Sequence, residues 1–349
     1  MTLMLTRRSL LLFPPALAAL QHARRAAASS PSAPAHEVVQ SDVGHIVVHD
    51  SMGEKTFRTH PKRAVALQWD ILENLIALGV TPVGAGDIAP WNAWVVDPKL
   101  PEGIADVGTR AEPNLERIAA LKPDVILIGP TQLDLLPQFS ELAPVLVFEN
   151  YRADAPQGEA ETAVAQLREL GRLFGREAEA EAVVKRIDAG LHELGARVRA
   201  AFGTTPQVQV IRFSSLTTLF VYTPNSITDY ALRRMGIHQP FERLNAGYGL
   251  TQVRIRDLKD LEDAYVIYAR PFALEKKVMN SILWCATPFA RKGRVAAAEA
   301  YWSHGGALSI LVTAERVVTA LLTLAPGAED AAKNPEEAAA KAAADLTGP

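Results

Sequence analysis

Short apolar runs bounded by turn residues recur from Pro61 onward: Ala64–Leu67, Val80–Val83, Val125–Ile128 and Val145–Phe148. Each is too short for a helix and lacks polar alternation, the pattern of strands covered on both faces of a parallel sheet. Helix-period stretches lie between them at Ile71–Leu78 and Leu115–Leu121, the second opened by Asn114 as N-cap and closed before Pro123. Strand and helix in alternation predict an α/β lobe over residues 44–158. It opens with a hairpin pattern around the turn Asp50-Ser51-Met52-Gly53. A second series, Val208–Phe213, Leu219–Tyr222, Ala264–Tyr268 and Val295–Ala298, is interleaved with helical patterns at Ile227–Met235 and Leu308–Leu324. It predicts another α/β lobe over residues 201–325.

Between the two, residues 159–200 carry apolar positions at helical spacing, from Ala163, Leu167 and Leu170 to Ile187, Leu191 and Val198, broken once at Gly175. At about 1.5 Å per residue the piece Arg176–Arg199 is roughly 35 Å long. It reads as a stiff strut between lobes or, in the alternative, as a long surface helix within one domain. A flexible hinge would show a Gly/Ser- or Pro-rich linker instead. The predicted fold class is therefore α/β, with two α/β lobes bridged by one long helix. Residues 326–349 turn to Ala, Glu and Lys and read as a solvated tail.

Residues 1–30 have the character of a twin-arginine export signal: Arg7-Arg8 stands before an apolar stretch, Leu10 to Leu20, that Pro14-Pro15 interrupts. That stretch is shorter than the about 20 residues a membrane span needs. No cysteine precedes Cys285 to carry a lipid. The expectation is a periplasmic monomer with no membrane anchor of its own.

Composition narrows the function. The 349 residues fit roughly two domains, and 48% hydrophobic against 21% charged supplies more than one core. Lys+Arg 36 against Asp+Glu 39 leaves a net charge of -3, with no basic excess for nucleic-acid phosphates. One cysteine excludes an internal disulfide and Cys-rich metal sites. The chain has no G-x-S-x-G elbow, Walker A loop or H-E-x-x-H, and it is not expected to be an enzyme. Gly84-Ala85-Gly86-Asp87-Ile88-Ala89 matches a dinucleotide pattern, but Pro90-Trp91 follows where such a site needs an uninterrupted helix. His45 and His49 on a strand would stand roughly 13 Å apart, and no direct metal site is expected.

Four segments carry a family resemblance: Pro61-Lys62-Arg63-Ala64-Val65-Ala66-Leu67, Leu75-Ile76-Ala77-Leu78-Gly79-Val80-Thr81-Pro82-Val83-Gly84, Asp106-Val107-Gly108-Thr109-Arg110-Ala111-Glu112-Pro113-Asn114-Leu115-Glu116 and Leu121-Lys122-Pro123-Asp124-Val125-Ile126. In order, spacing and residue type they resemble the substrate-binding proteins of iron–siderophore ABC importers. Weaker matches at Thr223-Pro224-Asn225-Ser226, Leu283-Trp284, Pro288-Phe289 and Tyr301-Trp302 extend the resemblance over residues 44–325. Trp94 before Pro98-Lys99-Leu100-Pro101, with Gly108-Thr109-Arg110, is most similar to the ferric hydroxamate binders of that family, with ferric dicitrate binders next. The resemblance implies a class III, helical-backbone periplasmic binding protein with its ligand between the lobes and little closure. It also implies delivery to an inner-membrane ABC permease and its ATPase. No cofactor is implied, because the ligand arrives as a pre-formed Fe3+–siderophore complex. A hydroxamate is favoured; ferric citrate, then haem or cobalamin, are the alternatives.

A ferric siderophore presents oxygens outside and hydrocarbon linkers between, which call for fixed arginine donors and aromatic faces. The family's ligand-binding arginine falls at Arg110, which could instead pair with Glu112 on the surface. Its aromatic cleft residues fall at Trp94 and Tyr248, and its C-lobe aromatic cluster at Trp302 and His304. Gln132 and His304 stand where the hydroxamate binders carry tyrosine. Trp69, at the end of the first parallel strand, belongs at the cleft rim or in the core. Arg212 and Arg270, each ending a predicted strand, either add positive charge to the cleft, favouring a more anionic ligand, or are solvated or salt-bridged. Glu116 falls where the family has an acidic residue that docks on the permease; on the second lobe Arg256 stands at the acidic position, and either Asp257 beside it substitutes or the partner surface differs.

Overall fold

The computed structural model describes residues 45–155 and 157–328; the predicted export signal and most of the Ala-rich tail lie outside the described residues. Ile46–Asp50 (β1) and Gly53–Phe57 (β2) form the expected antiparallel hairpin. Ala64–Ala66 (β3) opens the first sheet, followed by Trp69–Ala77 (α1), Gly84–Ala85 (β4), Ile88–Trp94 (α2), Ala105–Asp106 (β5), Leu115–Ala120 (α3), Val125–Ile128 (β6), Leu136–Ser140 (α4) and Val145–Val147 (β7). Its strands are all parallel, in the order β5-β4-β3-β6-β7. Asn114 caps α3 by accepting the Arg117 N–H at 2.9 Å.

In β6, Val125 and Leu127 face the core shared with the second lobe, while Ile126 and Ile128 face an outer core with Val65, Leu67 and Phe139. Coverage on both faces is why the run carries no polar alternation. The strand expected at Val80–Val83 starts at Gly84 instead, because Pro82 has no N–H to give a ladder.

Glu159–Phe174 (α5) ends at Gly175, whose φ of 63° is the left-handed turn glycine makes without a Cβ clash. Glu177–Phe202 (α6) follows, 26 residues, or about 39 Å. Val208–Phe213 (β8), Thr218–Tyr222 (β9), Ile227–Arg234 (α7), Leu250–Arg254 (β10) and Tyr265–Ala269 (β11) come next. Three short helices, Glu275–Met279 (α8), Ile282–Cys285 (α9) and Pro288–Arg291 (α10), precede Val295–Ala298 (β12) and Leu308–Leu322 (α11). The second sheet, β10-β9-β8-β11-β12, is mixed: β8, β11 and β12 are parallel and β9 runs against both neighbours.

α6 is more than a strut. It packs on α5 and α11, and one apolar core takes Leu72 from α1, Leu167 from α5, Leu191 from α6, Val210 from β8 and Val317 from α11. The two sheets are thus joined by a common buried core as well as by a helix that resists bending.

Polar groups stitch the same junction. Glu73 on α1 accepts the Ser309 N–H at 2.6 Å and its hydroxyl at 2.7 Å, in the first turn of α11. Asn74 accepts the Ala307 N–H at 2.8 Å and donates to Gln166 Oε1 at 2.6 Å. These side chains satisfy helix N–H groups that have no partner within α11.

Burial raises three carboxyls here: Asp70 from 3.8 to about 6, Glu73 from 4.5 to about 7 and Glu159 from 4.5 to about 8. Each binds its proton more tightly folded than unfolded, so their stabilising contribution is complete below about pH 4 and is lost as pH rises towards 8. Both carboxyl oxygens of Glu159 are buried with no hydrogen-bond partner among the described residues. Glu159→Gln is therefore expected to be more stable than the parent at pH 8 by about 4 kcal/mol. The difference should vanish at pH 4, as urea denaturation at the two pH values would reveal.

Candidate functional site

Strand order in the first sheet reverses between β3 and β6, the place where α/β sheets open a crevice at their carboxyl ends. Loops after all five strands meet there, bringing Trp69 from β3, Asp87 from β4, Arg110 from β5, Thr131 from β6 and Tyr151 from β7 to one cavity of about 390 Å³. The second lobe closes it with Tyr248, ahead of β10, and with Trp302 and His304, after β12.

Arg110 anchors one wall. Its Nε donates to Asp87 Oδ2 at 2.7 Å, and its guanidinium lies 4.0 Å from the Trp69 ring centroid and 5.9 Å from that of Trp302. Glu112, the surface partner the sequence offered, is not engaged; Asp87 is. Both Nη groups remain without a protein partner among the described residues. Gln132 stands behind this wall and not in it. It is 1% exposed, accepts the Gly129 N–H at 2.9 Å and donates to the Arg110 carbonyl at 2.6 Å. Its amide fixes the loop that carries Arg110, a positioning role where a ligand contact was expected.

Indoles from both lobes line up beside the guanidinium. Trp69, 2% exposed, meets Trp302 edge-on at 5.0 Å, and Trp302 meets Trp94 at 6.2 Å. Trp94 does not line the cavity; it supports Trp302, with the Arg212 guanidinium 5.0 Å from its ring centroid. Trp69 is both core and cavity wall, so the two readings of its position merge.

Next to Trp302 in the same lining, Tyr151 and Tyr248 stack at 5.2 Å, with His304 edge-on to each at 6.0 and 5.9 Å and to Trp302 at 5.5 Å. The Tyr151 hydroxyl and the Trp302 indole N–H both donate to the His304 carbonyl. Tyr248 adopts a φ of 57°, held by its N–H to the Tyr151 carbonyl at 3.2 Å. Burial, aided by the Arg212 charge, pushes the His304 imidazole down to about 3, so the ring is neutral at physiological pH.

One more residue expected in the cavity lies elsewhere, and the two expected docking residues lie on the surface. Arg270 is tied to Glu275, Nη2 to Oε1 at 2.7 Å, and to Glu299 at 2.8 Å, in a separate pocket beside Trp284 and Cys285. The carboxylates flanking the end of β11 hold it there, so it adds no charge to the cavity. Glu116 is exposed in the first turn of α3. Asp257 is partly engaged, accepting the Arg254 N–H at 2.9 Å.

The sequence reading also missed Asp87, Asp70 and Tyr151. Tyr151 follows a strand of the parallel sheet, so the strand-end rule was its available signal. Asp87 appeared only within the dinucleotide pattern. There the structure corrects the reason for rejection: Pro90 sits in the first turn of α2, where no N–H is needed, and does not prevent the helix. What stands against a pyrophosphate is the Asp87 carboxylate itself, placed at the N-cap and paired with Arg110.

Two α/β lobes on a long helix, with a cavity at the strand ends between them, define a substrate-binding protein. The chain belongs to the periplasmic binding protein family, whose profile matches residues 65–301. It is similar to the iron(3+)-hydroxamate-binding protein FhuD of Escherichia coli K12, 29% identical over 259 residues, covering 72% of this chain and 84% of that protein. It is also similar to the Fe(3+) dicitrate-binding periplasmic protein FecB of the same strain, 24% identical over 273 residues, 72% of this chain and 81% of that one. Among solved structures, the Fe3+–Desferal-bound siderophore-binding protein FhuD of Vibrio cholerae is 42% identical with a TM-score of 0.74, covering 77% of this chain and all 100% of that one.

Proposed function

We propose that this protein captures a ferric siderophore of the hydroxamate type in the cavity between its lobes and delivers it to an inner-membrane ABC permease and its ATPase. It is a binding protein and not an enzyme. The observation that carries the reading is the pairing of free Arg110 Nη donors with the indole and phenol faces of Trp69, Trp302, Tyr151 and Tyr248 around one cavity. Such a wall suits a compact complex with oxygens outside and hydrocarbon between. Among the described residues no three His, Cys, Asp or Glu side chains stand close enough to hold a metal ion. Iron, as cargo, brings its own oxygen shell, and no resident cofactor is invoked.

Similarity to the hydroxamate-binding and Fe3+–Desferal-bound proteins supports a hydroxamate. Ferric citrate is the second reading, supported by similarity to the dicitrate-binding protein; the position of Arg270 removes one cation it relied on. Haem gains nothing from His304, whose ring is clasped by Trp302, Tyr151 and Tyr248.

The protein acts as a monomer in the periplasm, reached by the twin-arginine route. The Arg7-Arg8 segment supports the route, and the periplasmic relative supports the compartment. Among the described residues no helix is long and apolar enough to cross a membrane.

A tryptophan-fluorescence titration tests the reading. Saturable quenching by a ferric trihydroxamate is expected with a Kd of about 1 μM or below, equivalent to about 8 kcal/mol. Iron-free ligand, haemin and cobalamin should give none. Silence across ferric hydroxamates and ferric citrate would overturn it.

A further inference from the structure

We infer that Asp87 sets the net ligand charge this cavity accepts: by pairing with Arg110 it biases the site toward neutral or cationic ferric complexes and against anionic ones. The inference rests on the siderophore reading of the same cavity.

Arg110 is the one Arg or Lys among the described residues that line the cavity, and Asp87 meets it at 2.7 Å. The two side chains are 27% and 19% exposed, so water only partly screens the pair. The backbone holds it in place. The Asp87 N–H donates to the Gly108 carbonyl at 2.9 Å, tying the loop after β4 to the loop that carries Arg110. A Cβ on Gly86 would lie 3.3 Å from Arg110 Cγ, so the chain there approaches the arginine closely. Asp87 itself takes a φ of 55°, unusual for a residue with a side chain.

The rest of the wall does not restore positive charge. Asp70 adds a second carboxylate to the lining, and it offsets the second cation, Arg212, which lies against Trp94 outside the lining but whose charge reaches His304. An incoming ligand therefore meets hydrogen-bond donors on Arg110 without a net positive field. Three hydroxamates balance Fe3+, so a ferric trihydroxamate core is neutral and can use those donors. Ferric dicitrate keeps net negative charge and meets two carboxylates that leave the two cations, Arg110 and Arg212, no net positive charge to offer it.

The test compares affinities for ferrichrome, a neutral trihydroxamate, and ferric dicitrate, an anion, in the parent, Asp87→Asn, Asp87→Glu and Arg110→Gln. The quantity read is the ratio of the two affinities, which a general loss of structure would not move. In Asp87→Asn the ratio should shift at least tenfold toward dicitrate; saturable dicitrate binding that the parent lacks counts as such a shift. Asp87→Glu should keep the parental ratio within threefold, and Arg110→Gln should move it the other way. A ratio within twofold of the parent in Asp87→Asn, or no opposite shift in Arg110→Gln, overturns the inference and leaves the siderophore reading standing. A parent that binds neither complex overturns both.

Discussion

Gly306→Ala is expected to destabilise the protein by about 4 kcal/mol, from overpacking of about 1–3 kcal/mol and the loss of at least one buried hydrogen bond at about 1–3 kcal/mol. A Cβ on Gly306 would stand inside the contact distance of Asn74 Oδ1 and 2.7 Å from the Asp70 carbonyl oxygen. Neither neighbour can retreat cheaply. Asn74 is fully buried, accepts the Ala307 N–H at 2.8 Å and donates to the Ala163 carbonyl at 3.2 Å, and the Asp70 oxygen belongs to the backbone of α1. The added methyl must push α1 from α11, and with them the two lobes. Gly203→Ala is the control: its φ of 71° strains any side chain but no atom lies within 4 Å, so its cost should be about 1–2 kcal/mol. Urea denaturation separates the two. A Gly306→Ala protein as stable as the Gly203→Ala control would mean that the lobe junction yields far more easily than its packing indicates.

Arg110→Ala is expected to weaken binding of the preferred ferric hydroxamate by 100-fold or more, about 3 kcal/mol. The change removes the Nη donors and the cation over Trp69, and leaves the Asp87 carboxylate facing the ligand oxygens unpaired. Arg110→Lys keeps the charge but loses the planar fork, and should fall between. Fluorescence titration with a parallel thermal melt distinguishes lost binding from lost folding. An affinity within about twofold of the parent, roughly 0.4 kcal/mol, would remove Arg110 from the anchoring role.

Much of the site was readable because α/β sheets gather function at strand ends. Arg110, Trp69, Tyr248, Trp302 and His304 all reach the cavity. Trp94 and Gln132 miss it by one layer, because a side chain's direction depends on local backbone and on competing partners. Gln132 turns inward to the Gly129 N–H and the Arg110 carbonyl. Arg270 misses it because Glu275 and Glu299, five and 29 positions further along, come together beside it.

The sequence by itself determined the alternation of strands and helices and the long connecting helix. Buried strands need continuous apolar runs, as in β6, whose limits match, and a helix buried on one side must repeat its apolar positions every 3.6 residues, as α6 does. Two-residue strands such as β4 and β5, and the edge strand β10 with Gln252 and Arg254 exposed, leave no such period. Only the tertiary structure decided that Asp87 rather than Glu112 holds Arg110, that Glu73 and Asn74 bind the start of α11, and that one core joins both lobes. Those contacts join residues distant in sequence, and partners of that kind are chosen by geometry that no local pattern encodes.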